Sequence, residues 1–271
     1  MQAPDGTAYE VYGPADAPVL ALIHGLGLCR HLWVPHIPAL AQNHQVLTYD
    51  LYGHGDSSPP PSEASLTVFS DQLARLIDHI GISRASVIGF SIGGMINRKF
   101  GLDHRDRLEA LAILNSPHDR GDDAQRQVEE RARSVREQGA LSTMDAALAR
   151  WFTPDYRAKA PNTLQLVRDW RLKADAESYA QATWVLANGV RELIRPTPPI
   201  SAPTLVMTCE NDSGSTPAMS EAISAEIDGA TREIVPKLQH LGLMEDPGAF
   251  TTSILRFLSE RQIGGSVDRK A

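Results

Sequence analysis

One short segment, GFSIG at residues 89–93, constrains the fold of this chain more than any other feature. The residues before it, 85–88, are mostly apolar and partly β-branched, which predicts a buried parallel strand. Residues 94–100 suit a helix. A strand, a tight turn and a helix form the context in which Ser91 would be presented as a nucleophile at the edge of a sheet. An ordinary strand-to-helix turn is the alternative interpretation.

A second predicted strand leads to a segment suited to binding negative charge on a reacting oxygen. Residues 19–23 are entirely apolar, which predicts a central strand, and HGLG follows at 24–27. In nucleophile-elbow folds, one backbone amide beyond such a strand and one beyond the nucleophile form an oxyanion hole. We therefore expect the amides of Leu26 and Ile92 to bind a developing oxyanion, with a plain strand-ending turn as the alternative.

A later strand precedes the candidates for a catalytic acid. The apolar run at residues 203–208 predicts this strand, and Asp212 lies in the loop beyond it. A carboxylate there can reach a histidine and hold its imidazole in the correct tautomer. Glu210 in the same loop is the second candidate, with a solvated loop charge as its alternative role, and Asp119, just past another predicted strand, is the third.

The candidate for the base is His240. A final strand is predicted at residues 231–235, and His240 lies in the loop that follows it. A serine hydroxyl is a weak nucleophile at neutral pH and needs a base at hydrogen-bond distance. The chain order Ser91, Asp212, His240 is typical of nucleophile-elbow hydrolases, and differs from the orders in the chymotrypsin and subtilisin folds.

Strands and helices alternate along much of the chain, which predicts a mostly parallel sheet with helices on both faces. Because Ser91 and His240 must meet, the segments around them belong to one catalytic unit. A helical stretch interrupts the alternation and is interpreted as a lid. The predicted divisions are a first core segment at 1–115, the lid at 116–200, a second core segment at 201–262 and a flexible tail at 263–271.

The predicted lid contains large apolar side chains that are candidates for lining a substrate pocket. Trp151, Phe152 and Trp184 are the residues expected to do so, because burial of the apolar part of a substrate needs such groups. Packing of the lid on the core is their alternative role.

Composition excludes several classes of partner. The net charge is −7 and the chain has no basic tract, so we expect no binding to nucleic acid. The first six residues have neither a basic start nor an apolar core, and no apolar run approaches the ~20 residues of a membrane span. A cytoplasmic protein that does not bind membranes is expected. No metal-ligand pattern or phosphate-binding glycine loop stands out, so neither a metal nor a cofactor is expected.

These motifs resemble those of α/β-hydrolases over nearly the whole chain, and within them those of the 3-oxoadipate enol-lactone hydrolase and carboxylesterase group. The segments that carry the resemblance are DLYGHG at 50–55, GFSIGG at 89–94, ARWFTP at 149–154 and ISAPTLV at 200–206. The chain departs from the lactonases in having His24-Gly25 where they usually carry Asn-Ser, and Tyr52 where they tend to carry Arg.

The resemblance implies an α/β-hydrolase fold and a serine hydrolase acting on small carboxylic esters or lactones through an acyl-enzyme. The elbow is also similar to that of metal-free haloperoxidases, so a perhydrolase using the same residues is an alternative. A ligand-binding receptor on the same scaffold is a third interpretation, which the complete set of Ser91, Asp212 and His240 disfavours.

Overall fold

A seven-stranded β-sheet forms the centre of the computed structural model, which describes residues 1–261 and 263. Its strands are β1 (Tyr9–Tyr12), β2 (Val19–Ile23), β3 (Gln45–Tyr49), β4 (Ala85–Phe90), β5 (Leu108–Leu114), β6 (Thr204–Cys209) and β7 (Thr231–Val235). They lie in the order β1-β3-β2-β4-β5-β6-β7. β1 is antiparallel to β3, and all the other neighbouring strands are parallel.

Eleven α-helices accompany the sheet in the described residues. They are α1 (Ile37–Leu40), α2 (Leu66–His79), α3 (Ile92–Asp103), α4 (Gly121–Gln138), α5 (Met144–Trp151), α6 (Pro154–Lys159), α7 (Pro161–Lys173), α8 (Ala176–Asn188), α9 (Pro217–Ala225), α10 (Gly242–Glu245) and α11 (Pro247–Glu260). Local sequence fixes several of their starts. The Ser65 hydroxyl accepts a hydrogen bond from the Val68 amide at the start of α2, which satisfies one of the free amides there.

The central strands are buried on both faces, as parallel strands covered by helices must be. All five residues of β2 are buried, and they alternate between two apolar clusters. Ala21 and Ile23 join the cluster that contains residues of α2 and α3, whereas Leu20 and Leu22 join the one that contains residues of α11. Burying a leucine or isoleucine side chain contributes about 1.5–3 kcal/mol, so this alternation fixes the register of the sheet.

Between β5 and β6 the chain leaves the sheet and forms α4 to α8, here called the helical insertion (residues 116–200, the predicted lid). It is tied to the loops beyond the carboxyl ends of the strands. The Asp175 amide, before α8, donates to the Gly53 carbonyl oxygen over 2.9 Å, and the Leu241 amide donates to the Trp151 carbonyl oxygen over 2.8 Å. The insertion therefore covers the edge of the sheet where ligands bind in open α/β folds.

Among the described residues, the helices are all too short or too polar to cross a lipid bilayer. Of the predicted tail at 263–271, residues 264–271 lie outside the described residues.

Candidate active site

Ser91 lies at a strained turn between β4 and α3. Its φ is 59° and its ψ is −116°, a region that costs a non-glycine residue of order 1–3 kcal/mol. Neighbouring glycines allow the turn: a Cβ at position 89 would lie 2.1 Å from the Gly93 carbonyl oxygen, and one at 93 would lie 2.5 Å from the Ile23 carbonyl oxygen. The sequence-predicted elbow therefore has the geometry that presents the Ser91 hydroxyl beyond the sheet.

The structure brings the side chains of Ser91, His240 and Asp212 into one hydrogen-bonded row. The Ser91 Oγ lies 3.1 Å from His240 Nε2, and His240 Nδ1 lies 2.7 Å from Asp212 Oδ2. Because an ionised carboxylate only accepts hydrogen bonds, Nδ1 carries the imidazole hydrogen and Nε2 accepts from the serine hydroxyl. This tautomer leaves His240 free to take the serine proton.

Asp212 is held as a buried anion. Its side chain is fully enclosed, and the amides of Gly214 and Ser215 each donate to Oδ1 over 2.9 Å. Burial raises the pKa of this carboxyl, but its interaction with His240 and hydrogen bonds, including one from Asn115, outweigh burial and hold the pKa below its usual 3.8. Asp212 is therefore ionised at neutral pH and orients the imidazole beside it.

Asn115 is a site residue that the sequence analysis missed. It follows β5 directly, and its Nδ2 donates to Asp212 Oδ2 over 2.9 Å. Its backbone has a φ of 47°, a left-handed conformation that asparagine tolerates better than most residues. Asn115 could have been found from its position at the carboxyl end of a strand next to β4, because the carboxyl ends of parallel strands meet at one edge of the sheet.

The two other acid candidates lie elsewhere. Glu210 is exposed and accepts from the Lys237 amide over 2.8 Å. Asp119 is also exposed and accepts from the Gly121 amide over 2.9 Å. Neither carboxylate is hydrogen-bonded to His240 in the described part of the chain.

His24 fixes the loop that holds the first predicted oxyanion donor. Its imidazole is fully buried, accepts a hydrogen bond from the Leu51 amide at Nε2 and donates from Nδ1 to the Gly25 carbonyl oxygen. Burial, with a smaller effect of His54, lowers the pKa of His24 to about 4. It is therefore neutral at pH 7, and the pair of bonds ties residues 24–25 to the loop after β3.

Leu26 and Ile92, whose backbone amides are the predicted oxyanion donors, are both close to Ser91 in the fold, Leu26 in the wall of the same cavity and Ile92 next to Ser91 in the chain. Leu26 borders the cavity above the serine, and Ile92 is the first residue of α3, where a helix leaves its amides without intrahelical acceptors. Within residues 1–261 and 263, neither amide donates a hydrogen bond to another protein group. The role of both amides as oxyanion donors therefore stays a prediction that their hydrogen bonding within the protein does not oppose.

A cavity of about 140 Å³ opens between Ser91 and the helical insertion. Ser91 and His240 lie in its wall, together with Trp151, whose ring centroid is 6.1 Å from that of His240. The cavity is lined by residues of α4, α5, α7 and α8 and of the loop after β2 (residues 24–28, here called the oxyanion loop).

Two of the three predicted pocket residues do not line this cavity. Phe152 follows the end of α5 with an extended backbone, is fully buried and stacks on Tyr156 with ring centroids 5.3 Å apart. Trp184 is 42% exposed, and the Arg133 guanidinium lies 5.8 Å from its ring centroid. Phe152 therefore packs the insertion internally, and Trp184 faces outward from α8, so Trp151 alone of the three borders the cavity.

The reactive side chains of the described site are a serine, a histidine and a carboxylate. Over residues 1–261 and 263, the structure places no cluster of three or more His, Cys, Asp or Glu side chains where they could hold a metal ion. The row from Ser91 to Asp212 suits nucleophilic attack on an electrophilic carbon, with His240 as the proton carrier.

The sheet, the elbow and the row of three side chains define an α/β protein with a serine at the strand-to-helix turn. A family model for the alpha/beta hydrolase fold matches residues 18–247. The chain belongs to this family, which confirms the fold class predicted from the sequence.

Individual relatives agree with the narrower resemblance. 3-Oxoadipate enol-lactonase 2 from Acinetobacter baylyi is 28% identical over 247 residues, which cover 91% of this chain and 90% of the relative. An enol-lactonase from Burkholderia xenovorans superposes with a TM-score of 0.86 at 30% identity, covering 93% of this chain and 96% of its own. A malate-bound thermophilic esterase from Thermogutta terrifontis gives 0.83 at 27%, covering 94% and 93%. The predicted resemblance to the enol-lactone hydrolase and carboxylesterase group is thereby confirmed.

Proposed function

We propose that this protein is a serine hydrolase that cleaves small carboxylic esters or lactones through an acyl-enzyme. The observation that carries the proposal is the hydrogen-bonded row of Ser91, His240 and Asp212, with spacings of 3.1 and 2.7 Å. A serine in a strained turn, a histidine in hydrogen-bond contact with it and a buried anion are the three parts that activate a hydroxyl nucleophile. The enol-lactonases and the esterase among the relatives support the choice of acyl substrate.

The first half-reaction forms the acyl-enzyme. Ser91 Oγ attacks the carbonyl carbon while its proton passes to His240 Nε2, and the carbonyl oxygen becomes an oxyanion bound by the amides of Leu26 and Ile92. Asp212 stabilises the imidazolium that results. Collapse of the tetrahedral intermediate breaks the bond to the alkoxide, which takes the proton from His240 Nε2. With a lactone, this new hydroxyl or enol stays on the acyl group.

The second half-reaction releases the acid. A water molecule gives a proton to His240 Nε2 and attacks the acyl carbon, and the same two amides bind the second oxyanion. Cleavage of the bond to Ser91 Oγ returns the proton to the serine. The products are a carboxylic acid and an alcohol, or one hydroxy or oxo acid from a lactone.

The dimensions of the site favour small substrates. The cavity of about 140 Å³ is bordered by the helical insertion, including Trp151, and its small volume suits a short acyl group better than a long lipid chain. A cytoplasmic protein that acts on a small molecule, without nucleic acid or membrane partners, is the corresponding expectation.

Hydrolysis of p-nitrophenyl esters from acetate to decanoate, alongside five- and six-membered lactones, tests this function. The rate should be highest for short acyl groups or lactones, and Ser91→Ala should lower kcat by several orders of magnitude. Ser259→Ala, at an exposed serine of α11, is the matched control and should retain full activity. Hydrolysis that survives Ser91→Ala within tenfold, or a maximum at decanoate with activation by a lipid interface, would contradict the proposal.

A further inference from the structure

Four arginines border the same cavity as Ser91. Arg120 directly precedes α4, Arg131 lies on α4, Arg150 lies on α5 and Arg171 lies on α7. We call these four side chains the arginine wall. They come from three helices of the insertion and border one small space.

The arginine wall has no carboxylate partner. In the described part of the chain, none of the four guanidiniums forms an ion pair, although most other arginines of the insertion do. The acidic residue that lines the cavity is Asp212, which is already bound to His240. The wall of the cavity therefore carries an excess of positive charge, which at the buried Arg171 is costly unless an anion compensates it.

Arg171 shows this excess most directly. The residue is only 2% exposed, and its Nε and Nη1 have no hydrogen-bond acceptor among the described residues. Its guanidinium lies 4.8 Å from the Trp151 ring centroid and 5.6 Å from that of Tyr179, so both rings hold it in place. A Cβ at Gly27 would lie 3.1 Å from Arg171 Nε, which places this guanidinium against the oxyanion loop.

The positive charges of the arginine wall are spread along the wall of the cavity and do not lie at one point. Burial, with a smaller effect of the charge of Arg131, lowers the pKa of Arg120 to about 10, although Asp119 acts in the opposite direction. Burial also lowers the pKa values of Arg131 and Arg171, and for both the charge of Arg150 adds to the effect. Repulsion thus links Arg120 to Arg131, and Arg150 to both Arg131 and Arg171. Arg120 is anchored at its end by hydrogen bonds to the carbonyl oxygens of Leu186 and Ala187.

We propose that the arginine wall binds two free carboxylates on the acyl part of the substrate, so that this enzyme prefers dianionic esters or lactones. The proposal rests on the proposed function for the position of the scissile carbonyl at Ser91. Arg171, beside the oxyanion loop, and its neighbour Arg150 are suited to the nearer carboxylate, and Arg120 with Arg131 to the farther one. A guanidinium binds a carboxylate through two parallel hydrogen bonds, so four guanidiniums exceed what one carboxylate needs.

Calorimetric titration of the Ser91→Ala protein with three related acids tests the arginine wall without any catalytic step. Pentanoate, glutarate and tricarballylate share a five-carbon chain; glutarate adds a carboxylate at its far end, and tricarballylate adds a further one at its middle carbon. Tricarballylate should bind at least tenfold more tightly than glutarate, and glutarate more tightly than pentanoate. Equal affinities for the three acids would overturn the proposal.

Substitutions locate the binding site for the anion. Arg150→Met and Arg131→Met, each in the Ser91→Ala background, should weaken tricarballylate binding by about ten- to a hundredfold, the scale of a hydrogen bond to a charged group. Arg126→Met is the matched control, because Arg126 is an exposed arginine of α4 paired with Asp123. Circular dichroism melting verifies that each variant is folded. A loss of affinity in Arg126→Met equal to that in Arg150→Met would also overturn the proposal.

Failure of this proposal is distinguishable from failure of the proposed function. If the native protein hydrolyses p-nitrophenyl pentanoate but the three acids bind equally, the hydrolase function stands and the dianion preference is wrong. If tricarballylate binds tightly through Arg150 and Arg131 but no ester or lactone is hydrolysed, the arginine wall stands as an anion site and the hydrolase function is wrong.

Discussion

Acidification should destabilise the folded protein through two histidines that are buried in the neutral form. His24 and His36 are both inaccessible to solvent. His24 holds the oxyanion loop, and His36 Nδ1 donates to Thr251 Oγ1 of α11 over 2.8 Å. Burial lowers the pKa of each imidazole from 6.5 to about 4. Protonation would therefore break the hydrogen bond from the Leu51 amide to His24 Nε2, and at His36 it would place a buried charge on Nε2, which has no hydrogen-bond partner among the described residues.

The sign and size of the effect follow from these values. Because the pKa of each folded imidazole lies below its unfolded value, the unfolded chain binds protons first as the pH falls. The stability is present above pH 6.5 and is lost progressively down to about pH 4. One pKa unit corresponds to about 1.4 kcal/mol, so each histidine should lower the free energy of unfolding by about 2 kcal/mol between pH 7 and pH 5.

Urea unfolding followed by tryptophan fluorescence at pH 7 and pH 5 measures this loss. His36→Gln removes one of the two groups, so the variant should lose about 2 kcal/mol less than the native protein over the same interval. His31→Gln, at an exposed histidine, controls for the removal of an imidazole as such. The reasoning is refuted if native protein and His36→Gln lose the same free energy of unfolding between the two pH values.

Three further comparisons test the roles of site residues by steady-state kinetics. Asp212→Asn should lower kcat on the order of 10⁴-fold, because an amide favours the wrong imidazole tautomer, whereas Glu210→Gln should have little effect, and the reverse ranking would contradict the assignment. Asn115→Ala should lower kcat by about ten- to a hundredfold, because a charge-assisted hydrogen bond to Asp212 is lost; an unchanged kcat would show that this bond is dispensable. Trp151→Ala should alter relative kcat/KM values across an ester series, while Trp184→Ala should not, and equal effects would argue against the described cavity wall.

Much of the fold was predictable because its strands are apolar and its turns are marked by glycine. The predicted strands at 19–23 and 231–235 coincide with β2 and β7, and those at 85–88 and 203–208 overlap β4 and β6. β1 was missed because it has only four residues, lies at the antiparallel edge and is mostly half-buried, so its YEVY sequence carries no run of buried residues. α6 was missed because PDYRAK is short and has no helical apolar stripe.

The three residues of the hydrogen-bonded row were predictable from their order along the chain. Ser91, Asp212 and His240 each follow a parallel strand, and parallel strands bring such residues to one edge of the sheet. The structure places their side chains in hydrogen-bond contact.

The lining of the cavity depends instead on the direction of single side chains. Trp151 and Phe152 are adjacent, but α5 ends between them, and the extended backbone of Phe152 turns its ring into the interior of the insertion. The arginine wall was equally hidden, because its members come from helices that are brought together by tertiary packing. The boundaries of the lid at 116–200 remain a prediction from the sequence pattern.

The central claim is that Ser91 is an activated nucleophile, and labelling with a fluorophosphonate tests it most directly. The reagent reacts with serine hydroxyls that have an adjacent base and an oxyanion hole. Mass spectrometry of the native protein should find one adduct, on the peptide that contains Ser91, and Asp212→Asn should slow its formation. An unlabelled native protein, or an adduct at another residue with Ser91 unmodified, would contradict the account.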